Sequence, residues 1–401
     1  MERLTAQDLS MLWPDDFGWP QDIGGLAILD GSRLLDAGGQ FRIDAVREAI
    51  EARLHLVPRF RQLLYLPRSG LGWPLWVDAP TFDLADHVRV CPVPAPGDDA
   101  GLLQTIEQLR RRRLDPSRPL WEMWFLPGLS DRRVGFFLKV HHTIADGVAG
   151  VATFGAFVDT VPDPPVLPAP AWTPAPAPSA RELLKDNLRS RFAGLGRTVS
   201  ACAHPAVTMG HLRAAWPALR ETVADGRAPP SSLNRPIGSD RRLVVVRSRL
   251  DVLRRVAHAH DATINDALMA AIAGGFRDLL RSRGESVDGL VLRAYVPVSL
   301  HREQFGQAHG NLDGMMVVPL PVGVPDSMQR LRWIAAETTT RKKLNRPAGG
   351  TLFRNGFVQR AFLRVMARQR WANAYVANVP ARRCGSTSPG HRCSSCSPSC
   401  P

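Results

Sequence analysis

A proline-rich segment near the middle of the chain, PDPPVLPAPAWTPAPAPS at residues 162–179, sets the strongest limit on the fold. Repeated prolines favour an extended, semi-rigid connector over packed structure. A chain of 401 residues is also too long for one small core, and the usual domain size predicts two domains. We therefore predict a first domain at residues 1–161, a linker with basic crossover helices at residues 162–232, and a second domain at residues 233–380.

Strand and helix patterns alternate on both sides of this segment. Short apolar runs predict strands in GGLAIL, WEMWFL and VGFFLKV before it, and in RRLVVVRSRL, LVLRAYVPV and MMVVPLPV after it. Apolar residues at three- and four-residue intervals predict helices between them: residues 44–54, from Asp99, from Asp251, from Ile264, and through MQRLRWIAAETTTRKK. This mixture favours an α/β or α+β fold.

The formal net charge of +14 points to an anionic partner, such as nucleic acid, a phospholipid surface or a phosphate-bearing small molecule. Only four of the 51 basic residues are lysines, which is also typical of codon bias in a GC-rich genome. No basic run is interleaved with aromatic residues as single-strand binders require, so we expect no nucleic acid partner.

The stretch after the linker, ARELLKDNLRSRFAGLGRTV at residues 180–199, predicts a basic amphipathic helix. Such a helix could rest on an anionic membrane surface, or it could be a solvated crossover between the domains. The chain has no apolar run of about 18 residues, and its N-terminus lacks the pattern of a secretory signal. We expect a cytoplasmic protein.

The tail at residues 381–401 follows neither strand nor helix periodicity and holds four of the six cysteines. His391, Cys393 and Cys396 could contribute to a zinc knuckle, but their spacing completes no four-ligand pattern, and we expect no metal. A disulfide framework is not expected without a signal peptide. We interpret the tail as the product of a reading-frame shift near Pro380.

The segment HHTIADG, residues 141–147, directly follows the apolar run VGFFLKV. His141 and His142 point to opposite faces if the strand continues through them, which argues against a two-histidine metal site. A histidine at a strand end titrates near neutrality and can take a proton from a hydroxyl group. Asp146 could order the turn, and Gly147 permits backbone geometry closed to other residues. A structural histidine remains the alternative.

Several motifs carry a resemblance to a known family. HHTIADG resembles the active-site motif of the CoA-dependent acyltransferase superfamily, which includes chloramphenicol acetyltransferase and peptide-synthetase condensation domains. Up to Pro380 the chain looks like the bacterial wax ester synthase/diacylglycerol acyltransferase family, through LHLVPRFRQ, PLWVDAPTFDLADHV, LDPSRPLWEMWFLPGL, TINDALMAAIAGG, GNLDGMMVVPLPVG and NVP. The sequence departs from that family after NVP, where Ala381 and Arg382 replace Gly-Pro.

The resemblance implies a site and a reaction. His142 would be the general base that takes the proton of a diacylglycerol or long-chain alcohol hydroxyl, which then attacks the thioester of acyl-CoA directly. His141 would support the site, and Asp146 would hold the loop through an arginine. Asn265 and Asp266 would approach from the second domain, although helix capping alone explains such a pair. Asn311 could line the cleft or form a turn, and the family requires no cofactor beyond acyl-CoA as co-substrate.

The implied fold is a pair of chloramphenicol-acetyltransferase-like domains with mixed sheets and flanking helices, enclosing a tunnel with His142 midway. We expect peripheral association with the inner face of the plasma membrane or with lipid inclusions. Two alternatives stay open: an acyltransferase that uses another hydroxyl acceptor, or a lipid-surface protein made inactive by its altered C-terminus.

Overall fold

The structure is a computed structural model that describes residues 2–144, 155–158, 170–203, 226–236, 240–299, 313–342, 371–378 and 397–399, with Met209, Gly238 and Arg364. Within the described residues, its first half contains seven strands and three named α-helices, besides short 3-10 turns. In chain order they are β1 (Glu2–Arg3), α1 (Ala6–Leu12), β2 (Asp22–Asp30), α2 (Ile43–Glu51), β3 (Gln62–Tyr65), β4 (Leu75–Asp78), β5 (Val88–Val90), α3 (Asp99–Arg111), β6 (Trp121–Leu126) and β7 (Arg133–His141).

The described part of the second half is mixed in the same way. It begins with α4 (Ala180–Ala203) and continues through α5 (Leu250–His258), α6 (Ile264–Ser282), β8 (Leu292–Ser299), β9 (Asp313–Leu320), α7 (Ser327–Lys342), β10 (Ala374–Tyr375) and β11 (Ser397–Ser399). The predicted α/β or α+β class is confirmed. The predicted domain boundaries stay predictions.

The largest sheet has the strand order β11-β2-β7-β6-β5. Strand β7 pairs antiparallel with both β2 and β6, and the register sets Asp22 opposite His141 and Trp121 opposite Val140. A continuous apolar run suits β7 because both faces of a central strand are covered. Phe136, Leu138 and Val140 join one core cluster, and Phe137 joins another with residues of α3.

Helix α3 illustrates how the sequence sets an element. The Asp98 side chain caps its start by accepting the Gly101 N–H at 2.8 Å. Leu102, Ile106 and Leu109 then recur on one face, which packs under the sheet. The helix covers the face of β7 that also carries Lys139 and His141, because alternate strand residues share a face.

The second half has its own three-stranded sheet, with the order β10-β8-β9. Helices α5, α6 and α7 supply Ala257, Met269 and Ile334 to the core cluster that contains this sheet. One strand prediction here is wrong: RRLVVVRSRL, at residues 241–250, forms no strand, and its residues 242–249 have no ladder partner among the described residues. Leu243 instead lies against α3, where its N–H donates to Glu107 Oε1 at 2.6 Å.

The described part of the proline-rich segment, residues 170–179, is irregular but not detached from the first half. The Trp172 ring packs edge-on to Phe82 and lies 5.0 Å from the Arg61 guanidinium carbon. The Ala175 N–H donates to Asp78 Oδ2 at 3.0 Å. The connector is therefore fastened to a domain surface, because its tryptophan supplies an apolar anchor that a purely prolyl segment would lack.

Candidate active site

The end of β7 places His141 inside the protein. Its residue is 2% exposed, and both nitrogens of its ring are engaged. Nε2 lies 3.0 Å from Asp15 Oδ2, and Nδ1 lies 2.8 Å from Thr143 Oγ1. The Thr143 backbone N–H also points at Nδ1, at 3.2 Å. His141 would have to give up one of these bonds to exchange a proton with a substrate.

His142 is the first residue after β7 and is only half-buried. Its N–H donates to the Gln21 carbonyl at 2.8 Å, and the Ile144 N–H donates to the His141 carbonyl at 2.9 Å, which closes the turn. The Nδ1 atom of the His142 ring is buried. Of the two adjacent histidines, His142 has the more accessible side chain, as a general base requires.

A buried ion pair lies beside these residues. Lys139 is 1% exposed, and its Nζ lies 3.3 Å from Asp22 Oδ2 and also donates to the Arg112 carbonyl. Burial raises the pKa of Asp22, whereas the charge of Lys139 acts to lower it. The ammonium and carboxylate thus sit where an unpaired charge would be costly.

Asp15, Asp22 and Lys139 are not among the site residues predicted from the sequence. A lysine inside an otherwise apolar strand is a signal, because a buried lysine needs a partner, but the sequence does not identify that partner. Asp15 lies 126 residues before His141 and comes from a short 3-10 turn, Trp13–Phe17. Only the folded chain brings the two together.

Asn265 and Asp266 lie in the first turn of α6. Asp266 is buried, and one of its oxygens accepts the Thr263 N–H at 2.8 Å in a capping box. The other accepts the Thr338 hydroxyl of α7 at 2.7 Å. The capping alternative therefore describes Asp266, whose carboxylate is occupied within the second half. Asn265 is half-buried beside it.

The remaining expected site residues, Asp146, Gly147 and Asn311, lie outside the described residues. The same holds for His391, Cys393 and Cys396 of the possible zinc knuckle. Within the part of the chain that the structure describes, no group of three or more His, Cys, Asp or Glu side chains could hold a metal ion. The expectations of no metal and no cofactor stay predictions.

Two adjoining cavities of about 310 and 300 Å³ open near the start of β6. Both are lined by Asp86, His87, Arg118 and Pro119, and His142 lines neither. His87 is buried there, with Nδ1 2.8 Å from the Trp121 carbonyl, and burial lowers its pKa. Neither cavity matches the expected tunnel, which stays a prediction.

Comparison with known proteins connects this geometry to a family. A family model described as the wax ester synthase/diacylglycerol acyltransferase catalytic domain matches residues 4–268. A Mycobacterium tuberculosis protein named as a candidate diacylglycerol O-acyltransferase is 34% identical over 354 residues, 84% of this chain and 72% of that protein. Another from the same organism, with a similar name, is 32% identical over 394 residues, 95% of this chain and 79% of that protein.

Solved structures share the fold. The wax ester synthase/diacylglycerol acyltransferase from Marinobacter aquaeolei VT8 superposes with a TM-score of 0.61 at 23% identity, covering 94% of this chain and 81% of that one. The first condensation domain of the calcium-dependent antibiotic synthetase superposes with a TM-score of 0.51 at 18% identity, covering 84% and 73%. The expected likeness to condensation-type folds is confirmed.

Proposed function

Since the chain belongs to the wax ester synthase/diacylglycerol acyltransferase family, we propose that it is an acyl-CoA:diacylglycerol O-acyltransferase that forms triacylglycerol. Wax ester formation from long-chain alcohols is the second activity that we propose for the same site. A different hydroxyl acceptor is not favoured, because the relatives named above carry diacylglycerol in their names.

The proposed mechanism is direct transfer with His142 as general base. Its imidazole takes the hydroxyl proton of the acceptor while that oxygen attacks the thioester carbonyl of acyl-CoA. The carbon–sulfur bond then breaks, the CoA sulfur receives the proton from His142, and the ester leaves. No covalent enzyme intermediate is needed, and orientation of the two substrates supplies much of the acceleration.

The engagement of His141 is the observation that carries this assignment. Its ring is buried and bonded on both sides, whereas the adjacent His142 is half-buried at the end of the strand. A substrate could meet His142 while both ring bonds of His141 stay intact, whereas proton exchange at His141 would break one of them.

The test is incorporation of labelled oleoyl-CoA into triacylglycerol with dioleoylglycerol as acceptor. His142→Ala should lower turnover by about 100- to 10,000-fold, the usual value of general base catalysis. His258→Ala is the matched control, because His258 is exposed on α5. Full activity in His142→Ala would refute the assigned base.

We further propose that the protein docks on lipid surfaces through α4. Leu183 and Asn187 face the first half, while Leu184, Leu188 and Phe192 are exposed, the last to 70%. Arg181, Lys185, Arg189 and Arg191 are exposed on the same turns, with Glu182 as the exposed acid among them. Exposed apolar side chains among cations suit an anionic bilayer. Among the described helices, none has the length and apolar character to cross a membrane.

Flotation with phosphatidylcholine vesicles, with and without phosphatidylglycerol, tests this docking. We expect binding that needs the anionic lipid and falls in Leu188→Ser/Phe192→Ser. Val244→Ser/Val246→Ser is the control, because these two valines are also exposed but lie outside α4. Equal flotation of both variants and the parent would contradict a role for α4.

A further inference from the structure

Asp15 contacts His141 directly and is connected to His142 through Gln21. Its Oδ2 lies 3.0 Å from His141 Nε2, and its Oδ1 accepts the Gln21 N–H at 2.9 Å. The Gln21 carbonyl in turn accepts the His142 N–H at 2.8 Å. One carboxylate thus connects the N-terminal turn to both residues.

The contacts of Thr143 fix which nitrogen of His141 carries the proton. The Thr143 backbone N–H can only donate, so Nδ1 must accept and is unprotonated. Nε2 of the neutral ring therefore carries the hydrogen and donates it to Asp15. The carboxylate accepts from the imidazole on one oxygen and from the Gln21 amide on the other.

This arrangement controls where His142 lies. Strand β2 begins at Asp22, directly after Gln21, and pairs with β7 from Asp22 opposite His141. The bond from His142 to Gln21 extends this pairing by one residue past the end of β7. Asp15 accepts the N–H of Gln21, the same residue whose carbonyl accepts the His142 N–H.

We infer that Asp15 is a positioning residue for acyl transfer: it locks the His141 ring in one tautomer and secures Gln21 as the support of the His142 backbone. The inference deepens the proposed function and rests on it for the role of His142. A small displacement of a base from its substrate can cost up to about 100-fold in rate. Asp15 acts through other residues and need not touch substrate.

The isosteric change Asp15→Asn tests the inference, because the amide cannot make both bonds. If its oxygen keeps the Gln21 N–H, its NH₂ group faces the Nε2–H of His141. If the amide is turned, the NH₂ group faces the Gln21 N–H instead. Asp44→Asn is the matched control, since the Asp44 side chain is 89% exposed on α2.

In Asp15→Asn, kcat should change together with at least one of two structural measurements. We expect a mixed or altered His141 tautomer in ¹⁵N imidazole spectra, assigned through His141→Gln, or faster hydrogen exchange of the His142 amide. We also expect kcat to fall by about 10- to 100-fold with KM within about twofold of the parent. Asp44→Asn should leave all three unchanged.

Unchanged spectra and exchange would show that Asp15 neither fixes the His141 tautomer nor supports the His142 backbone. Changed spectra or exchange with an unaltered kcat would overturn the positioning role of Asp15. Asp15→Glu is the second variant if the amide folds poorly; it keeps the charge, misplaces both oxygens, and should give the same signs. If the parent protein transfers no acyl group while Asp15→Asn still changes the spectra or the exchange, the proposed function fails. The structural role of Asp15 toward His141 and Gln21 is then still supported.

Discussion

His141 and His142 are neighbours in sequence but have different surroundings. His141 ends the buried strand β7 and has both ring nitrogens bonded, whereas His142 begins the turn. The alternation of side chains along a strand predicts that only one of the two faces a cleft, but it does not say which. The difference follows from Asp15 and Thr143, which reach His141 from opposite sides of its ring.

The Lys139–Asp22 pair gives a pH-dependent prediction for stability. Burial raises the pKa of Asp22 above its usual 3.8. The favourable contribution of this group to the free energy of unfolding is therefore full below about pH 3.8, and it is lost as the pH rises through the pKa of Asp22 in the folded protein. Lys139→Met removes a charge that lowers this pKa, so the raised pKa moves higher and burial of the carboxylate costs more at neutral pH. We expect a loss of about 3 kcal/mol near neutrality, and a smaller one in acid.

Denaturant unfolding of the parent and Lys139→Met at about pH 5 and about pH 8 measures the difference in unfolding free energy between the two proteins at each pH. The double variant Lys139→Met/Asp22→Asn should regain part of the loss, because it leaves no buried charge unpaired. A gap that narrows as pH rises would contradict the assigned sign.

At the scale of single elements, helix α6 depends on its first turn. Thr263→Ala removes two side-chain bonds, one from the Asp266 N–H and one to the Asp266 carboxylate, and should lower the free energy of unfolding by about 1 kcal/mol. Asp266→Ala should cost more, about 2 to 3 kcal/mol, because it also leaves the buried Thr338 hydroxyl without Asp266. Thermal unfolding measures both changes, and equal losses would argue against the contribution of the bond to α7.

The segment at residues 242–249 behaves differently from other apolar runs. Its alternating valines favour a strand, yet Val244 and Val246 are 77% and 88% exposed. Exposed apolar side chains close together promote association between chains. Val244→Lys/Val246→Lys should therefore reduce aggregation, measured by light scattering on heating, and an unchanged onset would contradict this expectation.

How much the sequence predicts depends on the range of the interactions. Helices α3 and α6 and strands β6 and β7 are predictable because their caps and apolar periodicity are local. Pairing of Asp15 with His141, or Lys139 with Asp22, is not, because each brings together residues more than 100 positions apart. The strand prediction for RRLVVVRSRL is wrong for the same reason. A strand needs a partner strand, and the local sequence does not show whether one is within reach.

At the scale of the whole molecule, the described buried residues of the first half and of α4 form core clusters separate from the cluster built by α5–α7, β8 and β9, and residues 240–247 cross between them. Besides Leu243, Arg247 pairs with Asp99 at 3.2 Å, and Arg111 pairs with Asp240 at 3.0 Å. These exposed ion pairs contribute little stability each. We therefore expect the halves to be joined weakly by this segment, with packing inside each half supplying most of the folding free energy.

The tail at residues 381–401 gives the whole-molecule prediction. If GC-rich codons are assigned to this tail and read one position out of phase, they encode GPAVRLYLAGAPVLELFPVV. If a reading-frame shift produced the tail, replacing it with this peptide should restore apolar strand-forming residues. We expect a higher unfolding midpoint and greater triacylglycerol synthesis than in the parent, measured side by side. Most of the tail, residues 381–396, lies outside the described residues, and equal behaviour of the two chains would remove the frame-shift interpretation.

Arg3 ties strand β1 to the loop at residues 71–73 and to helix α4. Its guanidinium pairs with Asp186 of α4 and donates to the carbonyls of Leu71, Trp73 and Leu183. Affinity tags and fluorescent proteins are often fused to the first residues of a chain on the assumption that these residues make no important contacts. Here an insertion between Glu2 and Leu4 would displace Arg3 and remove the contacts that hold α4 against the first half, so such additions belong upstream of Glu2.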